Sequence, residues 1–367
     1  MTCGVERDNY SGIGPLFSIV SLAQMRPYVC TLHVEAEDRG ARPKGWWGGL
    51  RVGDGREDGR RVELLGIPMD LGQGRRGVDM GPSALRYARL EDALEELGHD
   101  VADLGNVGVP IPEVSERDDG RREGMPHLQT VREVCERTAA AARDVVAGDA
   151  FPVFLGGDHS VSIGTVSGMA AAGRTGVLWV DAHADFNTPA TSPSGNVHGM
   201  PLAALCGYGH PDLVNVGGEG PSVRPQDVVV VGLRRVDREE RRFLIEAGAK
   251  AYTMKEIDAY GIASVVREAL EDLSRLERVH LSFDLDAVDP EVAPGVGTPV
   301  RGGLTYREAH LLMELVSEAG VVTSLDVVEI NPILDEKNKT AELAVELVGS
   351  LMGRRILDLP APSGSTS

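Results

Sequence analysis

From Val62 onward the chain alternates short apolar runs with longer segments of helical spacing. VELLGIP (62–68) predicts a first strand. A glycine-rich loop spans 72–81, and Pro82 stands where a helix favours its first residue. SALRYARLEDALEELG has helical spacing as far as Gly98, and residues 128–146 predict a second, long amphipathic helix. Apolar runs at 151–157 (FPVFLGG), 176–181 (GVLWVD) and 227–233 (DVVVVGL) predict three more strands. The alternation continues with a helix at 239–248, a strand in AKAYTM, a helix at 255–273 and a strand at 278–286. A helix at 305–318, a strand at 321–330 and a helix at 339–352 complete it. Uninterrupted apolar strands separated by amphipathic helices imply βαβ units and a largely parallel sheet covered on both faces.

Residues 1–60 show no such period. They are rich in glycine, nearly balanced in charge and carry the Trp46-Trp47 pair. This pattern predicts a poorly ordered N-terminal extension, with a partner-binding tail as the alternative. Residues 61–357 are expected to form a single catalytic domain, and 358–367 a C-terminal tail. A length of 367 residues suffices for one large α/β domain or two smaller ones. Aromatic residues make up only 4% of the chain, so its core must be built from Val, Leu, Ile and Ala.

The net charge of -19 argues against nucleic acid and against an anionic membrane as partners. It suits a cationic substrate, although an acidic surface also serves solubility alone. Cys3, Cys30, Cys135 and Cys206 have no C-x-x-C spacing and read as reduced thiols of an intracellular, cytoplasmic protein. No apolar run reaches the roughly 18 residues of a membrane span.

In parallel α/β sheets, ligands bind beyond the carboxyl ends of the strands. Four polar clusters fall there: Asp158-His159, Asp181-Ala182-His183-Ala184-Asp185, Asp284-Leu285-Asp286, and Glu329. Two His and four Asp without cysteine form an oxygen-rich donor set. It suits Mn, Fe(II) or Co better than a structural zinc site, and two ions are the economical reading. A two-metal site acidifies a bridging water and aims it at an electrophilic carbon. A lone D-x-D is common in loops, whereas D-A-H-x-D at a strand end is far more specific. Asp237 and Glu240 also suit the acidic first turn of a helix. His198 lies in a polar loop. His280 reads as structural, and Cys135 and Cys206 as packing residues.

These clusters resemble the ureohydrolase (arginase/agmatinase) family, and within it the arginases. The resemblance runs from about Val62 to Leu357. It rests on GQGRRGVDMGPSALR (72–86), GGDHS (156–160), DAHADFNTPATSPSGNVHG (181–199), GLRRVD (232–237), SFDLDAVDP (282–290), GTPVRGGLTYRE (297–308) and VVEINP (327–332). It implies a three-layer αβα sandwich around a mostly parallel eight-stranded sheet. It further implies two Mn2+ per subunit, one held by His159, Asp181, Asp185 and Asp284, the other by Asp181, His183, Asp284 and Asp286. A metal-bridging hydroxide then attacks the guanidinium carbon of L-arginine, giving L-ornithine and urea.

By motif position, Asp185 orients the nucleophile, His198 shuttles a proton and Glu329 pairs with the guanidinium. Asn187 and Ser194 match groups that hold the substrate carboxylate, with Ser192 and Asn196 in the same loop. Asp237 faces the ammonium, Glu240 stands behind it, and Thr298 matches a further pocket position. The SGN loop favours arginase over agmatinase. A silent arginine sensor should have lost a ligand, and a zinc-dependent deacetylase would lack the second His-bearing set. The resemblance also implies a homotrimer or homohexamer.

Overall fold

A computed structural model describes residues 59–111 and 124–357. The expectations for residues 1–58 and for the tail at 358–367 lie outside these residues, as do Cys3 and Cys30. Eight strands form one sheet: β1 (Arg61–Ile67), β2 (Asp100–Asn106), β3 (Phe151–Gly156), β4 (Thr175–Val180), β5 (Val228–Leu233), β6 (Lys250–Thr253), β7 (Arg278–Asp284) and β8 (Val322–Val328). Their order is β2-β1-β3-β8-β7-β4-β5-β6, and every pairing is parallel.

The apolar strands of the sequence occupy the middle of this sheet. β3, β4 and β5 are buried at every residue, as a sheet covered on both faces requires. Alternate residues serve opposite faces. Val153, Leu155, Leu178 and Val180 pack with α9 (Ile262–Leu273), α10 (Tyr306–Ala319) and α11 (Lys339–Leu351). Phe154 points the other way, into α3 (Leu128–Ala147) and α4 (Ser162–Ala170). Val177 and Trp179 share that second face with α5 (Pro201–Leu205) and Leu244 of α7 (Arg238–Ala247). The result is a three-layer αβα sandwich. No helix among the described residues is long and apolar enough to cross a membrane.

Two predicted helices are each divided. Arg89 adopts a left-handed conformation (φ 65°), separating α1 (Gly81–Tyr87) from α2 (Leu90–Glu95). Gly261 (φ 80°, ψ 145°) separates α8 (Met254–Tyr260) from α9. Helical periodicity survives such a one-residue break because the apolar face resumes on the same side. The remaining helix, α6 (Pro211–Val214), is a single turn.

Strand β2 escapes the apolar pattern because it is an edge strand, DVADLGN, exposed over most of its length. Charge at an edge discourages pairing with another chain. Asp103 of this strand is held by Arg86, Nε to Oδ2 at 2.6 Å.

The ends of β1, β3 and β8 meet at Gly157. Its amide donates to Ile67 O, its carbonyl accepts from Glu329 N (2.9 Å each), and the following amide, of Asp158, donates to Met69 O at 2.7 Å. A Cβ at Gly157 would lie 1.8 Å from Met69 O. We therefore expect Gly157→Ala to destabilise the fold by about 3 kcal/mol, as backbone overpacking does. Gly108, with nothing within 4 Å of its Cβ position, should tolerate alanine within about 0.5 kcal/mol. Urea denaturation of the two variants checks the contrast, and equal midpoints would refute it.

Candidate functional site

The strand order brings the loops after β3, β4, β5, β7 and β8 to one rim. His159 follows β3 in a short 3-10 turn capped by Asp158, whose side chain accepts from Ser160 N at 3.0 Å. Asp181, His183 and Asp185 follow β4. Asp284 ends β7, and Asp286 lies in the next turn, its amide donating to Asp284 Oδ1 at 2.7 Å.

These six side chains form two groups. His159 Nδ1 lies 3.0 Å from Asp185 Oδ2, 3.1 Å from Asp181 Oδ2 and 3.2 Å from Asp284 Oδ2. His183 Nδ1 lies 3.0 Å from Asp286 Oδ2 and 3.4 Å from Asp181 Oδ1. Asp181 belongs to both groups, offering one oxygen to each. Although three carboxylates surround it, His159 Nδ1 is buried without a well-directed hydrogen bond. A central cation would satisfy that convergence of donor atoms. With neutral rings, four carboxylates also match the charge of two divalent ions. Donor type, charge and the orphaned nitrogen therefore all fit a pair of hard divalent metals.

The electrostatics of the bare cluster show the same demand. Burial opposes a charge on His159, yet Asp181, Asp185 and Asp284 raise its pKa well above 6.5. Burial likewise opposes His183, which Asp286 and Asp181 nevertheless push up to about 12. Burial, then the neighbouring Asp286 and Asp181, raise Asp284 well above the usual carboxylate range. Asp185 rises to about 6 through burial and Asp181. Burial opposes a charge on Asp181 too, but its contacts with His159 and His183 hold it well below the usual carboxylate range, so the bare cluster favours protons on the imidazoles and on Asp185 and Asp284.

Around this floor stands a cavity of about 160 Å³. That is below the roughly 300–1,000 Å³ of drug-sized ligand sites and suits a ligand of amino-acid size. Its lining includes His183, Asp185, Asp284 and His198, together with Asn187, Ser192, Ser194 and Asn196 of the polar loop. Arg235, Asp237, Glu240 and Thr298 close the remaining side.

The loop hydroxyls hold their own backbone, with Gly195 N donating to Ser192 Oγ (3.0 Å) and Asn196 N to Ser194 Oγ (3.2 Å). The two hydroxyls also lie 3.5 Å from each other, so one O–H can bridge them while the other stays available to an incoming acceptor. Asn187 Nδ2 donates to Asp237 Oδ2 at 3.2 Å. Asp237 caps α7 and forms a capping box with Glu240, whose second oxygen accepts from Phe186 N at 3.0 Å. Burial pushes the Glu240 carboxyl up to about 7 against those two backbone donors. Thr298 Oγ1 donates to Asp286 Oδ2 at 3.0 Å, so its hydroxyl braces the metal group.

Glu329 behaves differently from a freely presented carboxylate. It is 1% exposed and lies behind the cavity wall. Oε1 accepts from His159 N and lies against His198 Nδ1, both at 3.0 Å, and Oε2 accepts from Gln73 Nε2 at 3.0 Å. Burial opposes a charge on His198, but the Glu329 hydrogen bond lifts its pKa to about 9. Asp185 (φ 49°) and Glu329 (φ 65°) both adopt left-handed backbone, a strain of order 1–3 kcal/mol each for a non-glycine residue. The Asp185 carbonyl is thereby turned to accept the free amides of Leu202 and Ala203 in α5.

Several supporting residues carry no chemical signal of their own, although Gln73 and Ser282 fall within two of the segments that carry the family resemblance. Trp179 stacks on His159, centroids 4.0 Å apart, and donates Nε1–H to Asp181 Oδ2 at 3.0 Å. Ser282 Oγ lies 2.9 Å from His159 Nε2, which leaves Nδ1 facing the carboxylates. Behind it, Ser162 and Thr165 donate to Asp326 Oδ2, and His280 Nε2 lies 3.0 Å from the same oxygen. His280 is thus a fully buried structural residue, with Nδ1 on Ser324 at 2.8 Å. Cys135 and Cys206 are buried and unpaired, and burial raises both thiols. Position in an apolar strand hides Trp179 and Ser282 from pattern reading. Gln73 lies in the GQGRRG segment of the family resemblance, but a lone amide in a glycine-rich loop does not announce a contact with Glu329.

Comparison with known proteins matches this arrangement. The sequence profile of the Arginase family matches residues 60–353. The chain is 52% identical over 299 residues to an arginase of Bacillus caldovelox, covering 81% of this chain and 99% of that protein. It is 50% identical over 299 residues to an arginase of Bacillus subtilis (strain 168), with the same coverage. The crystal structure of the Bacillus caldovelox arginase superposes with a TM-score of 0.78 at 51% identity, covering 81% of this chain and 100% of that one. A matched profile over most of the chain, half-identical relatives and a shared sheet make this chain a member of the arginase family of hydrolases.

Proposed function

We propose that this chain hydrolyses L-arginine to L-ornithine and urea with two divalent metal ions, Mn2+ by family resemblance. The observation that carries the reading is the pair of carboxylate–imidazole groups sharing Asp181 on the floor of an amino-acid-sized cavity. The half-identical relatives named as arginases support the choice of substrate.

His159, Asp181, Asp185 and Asp284 would hold one ion, and Asp181, His183, Asp284 and Asp286 the other. Bound there, the ions supply a water acidified towards neutrality. The chain's own groups do the rest. Asp185, at the cavity wall, orients the nucleophile. Glu329 is the anionic partner of the guanidinium. Gln73, the His159 amide and His198 hold its two oxygens in place, and the remaining acceptor capacity of the carboxylate is what the guanidinium would use. His198, beside Glu329 and lining the cavity, passes a proton towards the departing amine. At the outer end Asp237 faces the α-ammonium, with Glu240 bracing it. Asn187, Ser192, Ser194 and Asn196 present donors to the α-carboxylate. A cytoplasmic location and a homotrimeric or homohexameric assembly complete the proposal, the latter readable by sedimentation.

Urea release from L-arginine and from agmatine by the Mn2+-loaded enzyme tests the substrate. Arginine should be preferred by at least tenfold in kcat/KM, and an agmatine preference would overturn the assignment. Asp181→Ala should remove both ions, because Asp181, like Asp284, serves both proposed ligand sets and is the residue that offers an oxygen to each imidazole group. Elemental analysis finding two ions per chain in that variant would refute the ligand set.

His198 gives a pH signature. Its pKa is raised from 6.5 to about 9 in the fold. The stabilising contact with Glu329 is complete below about pH 6.5 and is lost as pH rises through about 9. His198→Asn should keep its metal, lower kcat by about 100-fold, and lose the alkaline limb of the rate profile near pH 9. An unchanged limb would remove His198 from proton transfer.

A further inference from the structure

Two adjacent arginines leave the end of β5, and they are used in opposite ways. Arg234 is saturated. Its guanidinium donates to the carbonyls of Gly232, Asp286, Ala287, Val288 and Val300 at 2.6 to 3.4 Å, tying the turn of Asp286 to the loop of Thr298. The Arg235 backbone is equally fixed, its amide donating to Ala182 O at 2.9 Å. Its side chain lines the cavity, yet among the described residues no hydrogen bond or ion pair uses its guanidinium. Four carboxylates share that lining, on Asp185, Asp237, Glu240 and Asp284, and Arg235 is its only arginine or lysine.

The proposed substrate has a cationic guanidinium, a cationic ammonium and one carboxylate. With two divalent ions offsetting Asp185 and Asp284, Asp237 and Glu240 are the lining carboxylates left to favour the ammonium and oppose the carboxylate. Ser, Asn and hydroxyl donors orient a carboxylate but carry no charge to offset that repulsion. A guanidinium left free in the lining of the same cavity does, and its planar fork suits a carboxylate.

We infer that Arg235 is the cationic partner of the substrate's α-carboxylate and sets the preference for an α-amino acid over its decarboxylated amine. This rests on the proposed arginine hydrolysis. The same charge acts in the other direction on a ligand without a carboxylate, whose two cations it repels. Arg235 is exposed, so solvent screens the interaction and its effect is moderate and salt-dependent.

The test compares the Mn2+-loaded wild type with Arg235→Gln and Arg235→Lys. Affinities for L-ornithine and putrescine, which differ by the carboxylate, are measured by calorimetry at low and high salt. Urea release from L-arginine is measured in parallel. For Arg235→Gln we expect a three- to tenfold loss of ornithine affinity and an equal rise in KM, with kcat within twofold. Putrescine affinity should be unchanged or better. Arg235→Lys should recover part of the loss, and high salt should shrink the difference. Unchanged ornithine affinity, or equal losses for both ligands, would overturn the inference. Arg235-dependent ornithine binding without urea release would support it while refuting the proposed reaction.

Discussion

Four carboxylates crowd against two imidazoles at the buried end of a parallel sheet, and the surrounding architecture serves that crowding. Asp181, Asp284 and Asp286 are almost wholly buried, and like charges so close are unfavourable unless cations neutralise them. The fold resists relaxation by fixing each group through its neighbours. Trp179 holds Asp181, Thr298 holds Asp286, Ser282 holds His159, and the amide of Asp286 holds Asp284. Behind Ser282 the hydroxyls of Ser162 and Thr165 reach Asp326, which in turn lies against His280 within the sheet itself. The polar site is therefore continuous with the hydrophobic core.

Much of this was legible in the sequence, for a physical reason. Strands buried on both faces must be apolar throughout, so GVLWV and VVVVGL announce themselves, and the polar residue that ends each run marks the rim. The eighth strand was implied by resemblance and not by pattern. DVADLGN is an edge strand whose exposed residues carry charge, so it has no apolar run to find. Breaks at Arg89 and Gly261 were equally silent, since a single residue of unusual backbone leaves the helical period intact.

Within the site, the metal-type side chains stood out because Asp and His at strand ends are chemically conspicuous. Their supports did not. Ser282 and Trp179 read as ordinary members of buried strands, and Gln73 as one polar residue in a flexible-looking loop. Glu329 shows the limit of placing a residue by motif alone. Its position on the rim was evident, but its engagement by Gln73, His198 and the His159 amide follows from loops that only the folded chain brings together.

The strand order has a further consequence for how the chain is made. β7 and β8 lie between β3 and β4, although they come last in sequence. Until residues 278–328 have left the ribosome, β3 and β4 each present an unpaired edge, the kind of surface that recruits other chains. The central gap closes only when the last quarter of the chain arrives, bringing Asp284, Asp286 and Glu329 with it. A nascent chain truncated before β7 carries four of the six metal-type side chains, His159, Asp181, His183 and Asp185, on an open sheet, so the full donor set assembles late in biogenesis.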